Sequence, residues 1–252
     1  RAIRDGDTWR VNGQKIWTSR ALYSDLMVLL ARTTPAEECE RHTDGLSVFL
    51  VEMRDDARDL VPGLTINPIS TMMNHSTTEV FFDDVVLPAN ALVGSEGLGF
   101  RHVLDGMNAE RILIAAECIG DGRFFLERAS AYASEREVFG RAIGTNQGVQ
   151  FPLARAYADL QAADLMRYRA AELFDTGHPC GAEANMAKLL ASEASWAAGN
   201  AALDTHGGYG FAAEYDVERK FRETRLYKVA PVSNNLVLAF LGEKVLGMPK
   251  SY

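Results

Sequence analysis

Gly94-Ser95-Glu96-Gly97-Leu98-Gly99 is the stretch at which the character of the chain changes. The first 100 residues contain 7 alanines, whereas the remaining 152 contain 27. Alanine is the strongest helix former, so the shift predicts that the chain after this stretch is helical. The stretch itself is interpreted as a flexible turn before a helix, or alternatively as backbone that a ligand can approach closely.

Before the glycine-rich stretch, short apolar runs are separated by Gly, Pro, Asn and Asp, which is typical of β-strands. Strands are predicted over residues 8–11, 14–19, 26–31, 46–51 and 79–87. The first two flank Asn12-Gly13. Because Asn-Gly readily supplies the two positive-φ positions of a type I′ turn, a hairpin is predicted there.

After the stretch, the pattern predicts helices over residues 100–135, 147–175, 182–206 and 233–247, with a shorter one near 215–226. Within the third, Met186, Leu189, Leu190, Glu193 and Ala197 recur at three- and four-residue spacing and are predicted to form its packed stripe. The predicted fold class is therefore α+β. A small antiparallel β domain, residues 1–97, is followed by an antiparallel four-helix-type bundle, residues 98–252.

Composition excludes several classes of protein. The 252 residues are 47% hydrophobic and 24% charged, with a formal net charge of −8, which indicates a globular chain and argues against nucleic acid or an anionic membrane as partner. No apolar run approaches the ~20 residues of a membrane span.

The histidines and cysteines are candidates for metal ligands and disulfide partners. The five histidines share no ligand spacing, so no metal site is predicted. Three widely spaced cysteines predict free thiols and a reducing compartment, either a bacterial cytoplasm or a mitochondrial matrix.

Three local features leave alternatives open. Glu110-Arg111 lies in an otherwise apolar predicted helix. The pair either has a function or lies on the solvated face of that helix. The stretch 132–140 ends a long helix with charge, an aromatic residue and Gly, which by itself is an ordinary helix terminus. His206-Gly207-Gly208-Tyr209-Gly210 is either a glycine C-cap or a backbone that approaches a ligand.

The order of these and other motifs resembles the acyl-CoA dehydrogenases. Asn12-Gly13-Gln14-Lys15-Ile16-Trp17-Thr18-Ser19 is similar to the family's NGxKxWxT segment. The family's R-x-x-F-G-x-x-I…Q run is matched by Arg136, Phe139, Gly140, Ile143 and Gln147. Ala187-Lys188-Leu189, Gly207-Gly208-Tyr209-Gly210 and the stretch 214–219 are also family-like, so the matches span nearly the whole chain.

The resemblance implies an FAD enzyme that oxidises the Cα–Cβ bond of an acyl-CoA thioester and passes electrons to an electron-transfer flavoprotein, as a homotetramer. It implies Trp17, Thr18 and Ser19 at the flavin ring, and Arg136, Phe139 and Gln147 at the FAD of a neighbouring subunit. It further implies close backbone approach at Gly207 and Gly208, and polar contacts from Ser233 and Asn235. Asn108 and Arg111 match residues near the substrate.

The catalytic base departs from the family's common pattern. Pro231 occupies the usual base position, and proline cannot take a proton. A minority branch similar to isovaleryl-CoA and long-chain dehydrogenases has its base on the preceding helix, immediately before the Arg, and Glu110 stands at that place. The resemblance therefore implies Glu110 as the base.

Two alternatives remain beside this hypothesis. Pro231, together with Asp204 at a position where Gln is frequent, is compatible with a catalytically impaired structural subunit of a hetero-oligomeric dehydrogenase. The second alternative is a flavin oxidase or monooxygenase on the same fold.

The chain opens Arg1-Ala2-Ile3 without an initiating Met, and the family's N-terminal helical domain is absent from it. Further chain is therefore expected before residue 1.

Overall fold

The structure, a computed structural model, describes residues 1–73 and 76–250. The chain divides into two compact units, of which the first is Arg1–Gly106 and the second begins at Met107. This division falls within a helix rather than at the glycine-rich stretch, and the domain limits of 97 and 98 stay a prediction. No helix within the described ranges is long and apolar enough to cross a bilayer.

The first unit contains two antiparallel sheets. One has the strand order β1-β2-β6-β5 and the other the order β3-β4-β7. The strands are β1 Ala2–Asp5, β2 Thr8–Ser19, β3 Leu26–Arg32, β4 Leu46–Glu52, β5 Leu64–Ile69, β6 Thr77–Pro88 and β7 Leu92–Val93. All of the predicted runs lie in these strands, but the prediction missed β1, β5 and β7.

The predicted hairpin at Asn12-Gly13 is wrong, because β2 is a single strand that pairs with β6 along both of its halves. The register of the two strands shifts between Val11 and Gly13, so the dipeptide forms a β-bulge instead of a turn. The Asn12 side chain stabilises the bulge: its Nδ2 donates to Asp84 Oδ1 at 2.7 Å, and its Oδ1 accepts from the Asp84 N–H at 2.9 Å.

Large apolar side chains from both sheets form the core of the first unit. Trp9 of β2 and Phe49 of β4 are buried, and their rings meet edge to face with centroids 5.2 Å apart. Val51, Val80 and Val85 are also fully buried in this cluster. Burial of aromatic and branched side chains therefore holds the two sheets together.

The second unit is mainly helical and confirms the predicted α+β class. Its helices are α1 Gly99–Glu135, which begins within the first unit, α2 Gln147–Asp175, α3 Gly181–His206, α4 Val217–Thr224 and α5 Asn234–Phe240, which continues as a π-helical turn to Val245. The helix bounds agree with the prediction to within a few residues. The predicted helix 233–247 corresponds to α5 together with the π-helical turn that follows it. Two short strands, β8 Glu137–Val138 and β9 Arg141–Ala142, lie between α1 and α2.

The packed stripe predicted for α3 is wrong. Leu190, Glu193 and Ala197 are exposed, and Leu189 is the one residue of the predicted stripe that is buried. The buried side of α3 consists instead of alanines and small polar residues, with Lys188 among them. The side chain of alanine is a single methyl group, so neighbouring helices can approach the buried side of α3 closely.

Candidate functional site

A tight hairpin after α1 carries Phe139, one of the predicted cofactor residues. Val138 pairs with Arg141, so Phe139 and Gly140 form a two-residue loop. Both have positive φ, 53° and 75°, which identifies the type I′ geometry that the sequence favoured at Asn12-Gly13. Phe139 is 99% exposed at the tip, so the hairpin presents an aromatic ring to its surroundings. The stretch 132–140 therefore contains both the end of α1 and the first part of a β-hairpin, whereas its residues alone indicated only a helix terminus.

A cavity of about 550 Å³ lies between this hairpin and the end of α3. It brings together Arg136, from the segment after α1, and the Gly207-Gly208 pair, 71 positions further along the chain. The guanidinium of Arg136 lies 6.0 Å from the ring centroid of Tyr209, which also lines the cavity. Three of the predicted cofactor residues thus share one cavity.

Gly207 and Gly208 leave their side of the cavity open. A Cβ at either position would meet no heavy atom within 4 Å, so a ligand can approach the backbone directly. Gly207 has φ +57° and ψ −129°, a conformation that is costly for any residue with a side chain. Both glycines are exposed, and open backbone beside an arginine suits a phosphate-bearing ligand, so these residues fit the diphosphate of a dinucleotide cofactor.

His206 is a cavity residue that the sequence indicated only as part of a helix end. It is buried, its Nδ1 lies 2.8 Å from the Ala202 carbonyl oxygen, and its ring stacks on Tyr132 at 4.4 Å between centroids. Tyr209 and Tyr215 complete an aromatic cluster around it. No sequence signal separated this histidine from a solvated one, because Tyr132 and Tyr215, whose rings contact it, lie on other segments.

In the first unit, Trp17-Thr18-Ser19 forms the end of β2 and is distorted. The register with β6 shifts between Lys15 and Thr18, and Trp17 has φ 64°. A positive φ at a bulky residue is a true outlier, and bulges often re-aim side chains beside functional sites. The Trp17 side chain is 65% exposed, and Thr78 Oγ1 anchors the following residue by donating to the Thr18 carbonyl oxygen at 2.8 Å.

Asn108, Glu110 and Arg111 lie on α1 in the second unit. Arg111 donates to Asn108 Oδ1 at 3.0 Å, while its Nε is buried without a hydrogen-bond partner among the described residues. Burial lowers the pKa of Arg111, and the neighbouring Glu110 opposes that shift. Glu110 itself is exposed, so in this chain the carboxylate lies on the solvated side that the sequence left open as an alternative.

The segment before α5 contains Pro231, at which the resemblance places the family's usual base. Ser233 caps α5, its hydroxyl accepting from the Leu236 N–H at 3.4 Å, and Asn235 is exposed. Between them, Asn234 is buried and accepts a 2.8 Å hydrogen bond from Lys188 Nζ. Gln147, another predicted cofactor residue, is exposed at the first position of α2.

The structure groups some predicted residues and leaves others apart. Within the second unit, Arg136, Gly207 and Gly208 share the cavity, and Asn108 contacts Arg111; Phe139, Gln147, Ser233 and Asn235 are not among the lining residues of that cavity. No group of three or more His, Cys, Asp or Glu side chains suited to a metal occurs within residues 1–73 and 76–250; His75 lies outside these ranges.

Sequence profiles of known families decide what kind of chain this is. Residues 1–85 match the middle domain of acyl-CoA dehydrogenases, and residues 97–245 match their C-terminal domain. The chain belongs to the acyl-CoA dehydrogenase family. Its two units thus correspond in sequence to two domains of acyl-CoA dehydrogenases.

Individual proteins support the same assignment. Acyl-CoA dehydrogenase FadE12 of Mycobacterium bovis is 38% identical over the whole of this chain, which spans 63% of that protein's length. The structure of a glutaryl-CoA dehydrogenase in complex with glutaryl-CoA superposes with a TM-score of 0.91 at 32% identity, covering 99% of this chain and 62% of that one. An FAD complex of PigA superposes with a TM-score of 0.89 at 28% identity, covering 98% of this chain and 62% of that one.

Proposed function

We propose that this protein catalyses the FAD-dependent α,β-dehydrogenation of an acyl-CoA thioester to the trans-2-enoyl-CoA. The observation that carries the proposal is the cavity in which Arg136 meets the open backbone of Gly207 and Gly208. Two family motifs that lie far apart in the sequence meet there, and they offer a phosphate-bearing cofactor a positive charge and a backbone that it can approach closely.

The residues proposed to hold FAD come from four segments. They are Trp17, Thr18 and Ser19 on β2; Arg136, Phe139 and Gln147 around the hairpin; Gly207 and Gly208 after α3; and Ser233 and Asn235 at the start of α5. Trp17 and Phe139 present exposed aromatic rings that can stack on a planar ring system. FAD, when bound, accepts the β-hydrogen as hydride.

Glu110 is the proposed base, and it would remove the α-proton of the thioester. Asn108 and Arg111 would bind the substrate beside it, and their mutual hydrogen bond fixes their relative orientation. A general base is most effective when water is excluded from it. Glu110 is exposed in this chain, and a bound acyl thioester would exclude water from its carboxylate.

Further parts of the proposal concern partners and compartment. Electrons would pass to an electron-transfer flavoprotein, and the exposed ring of Phe139 would contact the FAD of a neighbouring subunit in a homotetramer. Cys39, Cys118 and Cys180 are free, which suits the reducing environment of a bacterial cytoplasm or a mitochondrial matrix.

The proposed chemistry predicts the behaviour of Glu110→Gln in the full-length polypeptide. Loss of a general base should slow anaerobic flavin reduction by acyl-CoA thioesters by about 10²–10⁴-fold, because the amide cannot accept the α-proton. Bleaching of the flavin absorbance in a stopped-flow instrument measures this rate. Glu127→Gln, on the same helix, is the matched control and should react at the wild-type rate.

Undiminished reduction of Glu110→Gln would contradict the assignment of the base. A second candidate, a catalytically impaired structural subunit, is favoured by Pro231 and by the exposure of Glu110. A well-folded full-length protein that purifies without flavin and together with a homologous subunit would support that candidate. Rapid reoxidation by air with release of peroxide would instead support a flavin oxidase or monooxygenase.

A further inference from the structure

Lys188 is a lysine with no solvent-exposed surface, near the start of α3. Its Nζ donates to the Val232 carbonyl oxygen at 2.6 Å and to Asn234 Oδ1 at 2.8 Å. Val232 precedes α5 and Asn234 is the first residue of that helix, so both acceptors lie within residues 232–234, 44 and 46 positions further along the chain. One ammonium group thus binds the backbone and a side chain of the same segment.

An ammonium group in this setting is costly to the fold. Desolvation lowers the pKa of Lys188 to about 8, with Arg111 acting in the same direction and the Cys118 thiol opposing it. A methionine would fill the same space without that cost. The lysine is therefore poorly explained by packing, whereas its two hydrogen bonds reach a segment that carries proposed cofactor residues.

The contacts of Lys188 fix which side chains of this segment point inward. Asn234 is 7% exposed, and besides accepting from Lys188 its Nδ2 donates to Ser192 Oγ at 3.1 Å. With Asn234 held inside, its two neighbours, Ser233 and Asn235, are less buried. Ser233 is in turn placed to cap α5 through the Leu236 N–H.

We propose that Lys188 is a positioning residue for the flavin site: by holding Val232 and Asn234 it sets the conformation from which Ser233 and Asn235 face the cofactor. The inference rests on the proposed function, because those two residues are cofactor ligands only in that scheme. Lys188 takes no part in the chemistry, since its hydrogen bonds are directed into the protein.

The test compares Lys188→Met with Lys220→Met in the full-length polypeptide. Lys220 is a matched control, because it also binds a buried group in the second unit, the Asp121 carboxylate at 2.6 Å, through an ion pair outside the segment before α5. Hydrogen–deuterium exchange followed by mass spectrometry reports on amides 232–238. Lys188→Met should speed their exchange at least tenfold and leave α2 unchanged, while Lys220→Met should leave amides 232–238 at the wild-type rate.

Exchange of amides 232–238 within twofold of wild type in Lys188→Met would overturn the proposal, as would an equal rise throughout the second unit. If Lys188→Met does not fold, Asn234→Ala decides in its place, because it removes the side-chain oxygen that accepts from Lys188 Nζ. Asn234→Ala should speed exchange of the amides on either side of it at least threefold, and wild-type exchange would overturn the inference.

Cofactor affinity separates this inference from the proposed function. Titration of the apoprotein with FAD should show a Kd at least tenfold higher for Lys188→Met than for Lys220→Met. A wild-type protein that binds FAD but is not reduced by acyl-CoA would end the proposed reaction while leaving the exchange and affinity results valid for Lys188. Equal FAD affinities in the two variants would overturn the positioning role.

Discussion

The two units of the molecule are built around different kinds of core. In the first, the described residues bury large apolar side chains such as Trp9 and Phe49, and the buried polar side chains are Ser47 and Thr78. In the second, alanines dominate the buried positions, and the following polar side chains are buried among them: Asp121, Asp164, Asn185, Lys188, Ser192, Ser195, Thr205, His206, Thr224 and Asn234. Most of the buried polar side chains of the described residues are therefore in the helical unit.

Because their cores differ, the two units are stabilised in different ways. Removal of apolar area from water stabilises the first unit, and that contribution does not depend on protonation. The second unit has smaller apolar side chains to bury and carries charges that cost free energy unless they are paired. Asp121 illustrates the cost, because burial raises its pKa although Lys220 binds it. The helical unit should therefore respond more strongly to pH and to charge changes than the β unit.

Trp9→Ala should have the largest effect on stability. Truncation of a buried aromatic residue typically costs about 3–5 kcal/mol, and Trp9 packs directly on Phe49 between the two sheets. Urea denaturation followed by circular dichroism measures the loss, which should be the same at pH 6 and pH 9. Trp17→Ala on the same strand is the control: its side chain is 65% exposed, and the expected change is within about 0.5 kcal/mol. Similar losses for both variants would mean that burial does not determine the stability of this unit.

The next largest expected effect is a pH dependence of the free energy of unfolding of the second unit, caused by Lys188. Burial holds its pKa at about 8 in the folded protein, against the ordinary lysine value of 10.5 in the unfolded chain, so above pH 8 the unfolded chain binds the extra proton. The contribution of Lys188 to stability therefore rises between pH 8 and 10.5, by at most about 1.4 kcal/mol per pH unit. The difference in unfolding free energy between wild type and Lys188→Met, from urea denaturation at several pH values, should change in favour of wild type over that window.

Cys118 opposes this trend above pH 9. Burial raises the pKa of its thiol, so the unfolded chain loses the proton first and stability falls as the pH rises beyond the ordinary thiol value of 9. The wild-type profile should consequently rise between pH 8 and 9 and flatten or fall above, and Cys118→Ala should extend the rise. A difference between wild type and Lys188→Met that does not change with pH would show that the lysine is not desolvated in the folded state.

The smallest predicted effect tests how closely the helices pack. Gly120→Ala should stabilise the protein by about 0.5–1 kcal/mol, because α1 gains a better helix former and the new Cβ meets no heavy atom within 4 Å. Gly122→Ala, two positions further on, gains the same propensity, but its Cβ would lie 2.5 Å from Leu160 Cδ1. We expect Gly122→Ala to be the less stable of the two by thermal denaturation. Equal stability of both variants would argue against close packing between α1 and α2.

The sequence predicted the helices well, and it predicted the strands less completely. Alanine content and stop signals such as Gly177 indicated helix bounds close to those observed, because these signals are local. β5 was missed because it is short and contains Pro68, which usually argues against a strand. At the edge of its sheet, β5 tolerates a proline. The Asn12-Gly13 turn was wrong because a partner 72 positions away, Asp84, binds the Asn12 side chain.

The candidate site shows the same limit of sequence reasoning. Resemblance identified Arg136 and Gly207, and the structure then placed them in one cavity. Lys188 and His206 could not be recognised as buried, because a lysine or histidine in a sequence is most often at least partly solvated. Their surroundings come from α1, α5 and other distant segments, and a linear sequence carries no signal of such contacts.

The hairpin at Phe139-Gly140 has a consequence for protein engineering. An Asn-Gly pair would adopt its two positive-φ positions with less strain than Phe-Gly. Phe139 buries almost no surface in this chain, so little in its own fold offsets that strain. A search for stabilising substitutions guided by backbone preference would select Phe139→Asn early and discard an aromatic ring from the proposed cofactor site. If Phe139 contacts FAD as proposed, stability and activity have opposing requirements at this position, and stability screens should leave the hairpin unchanged.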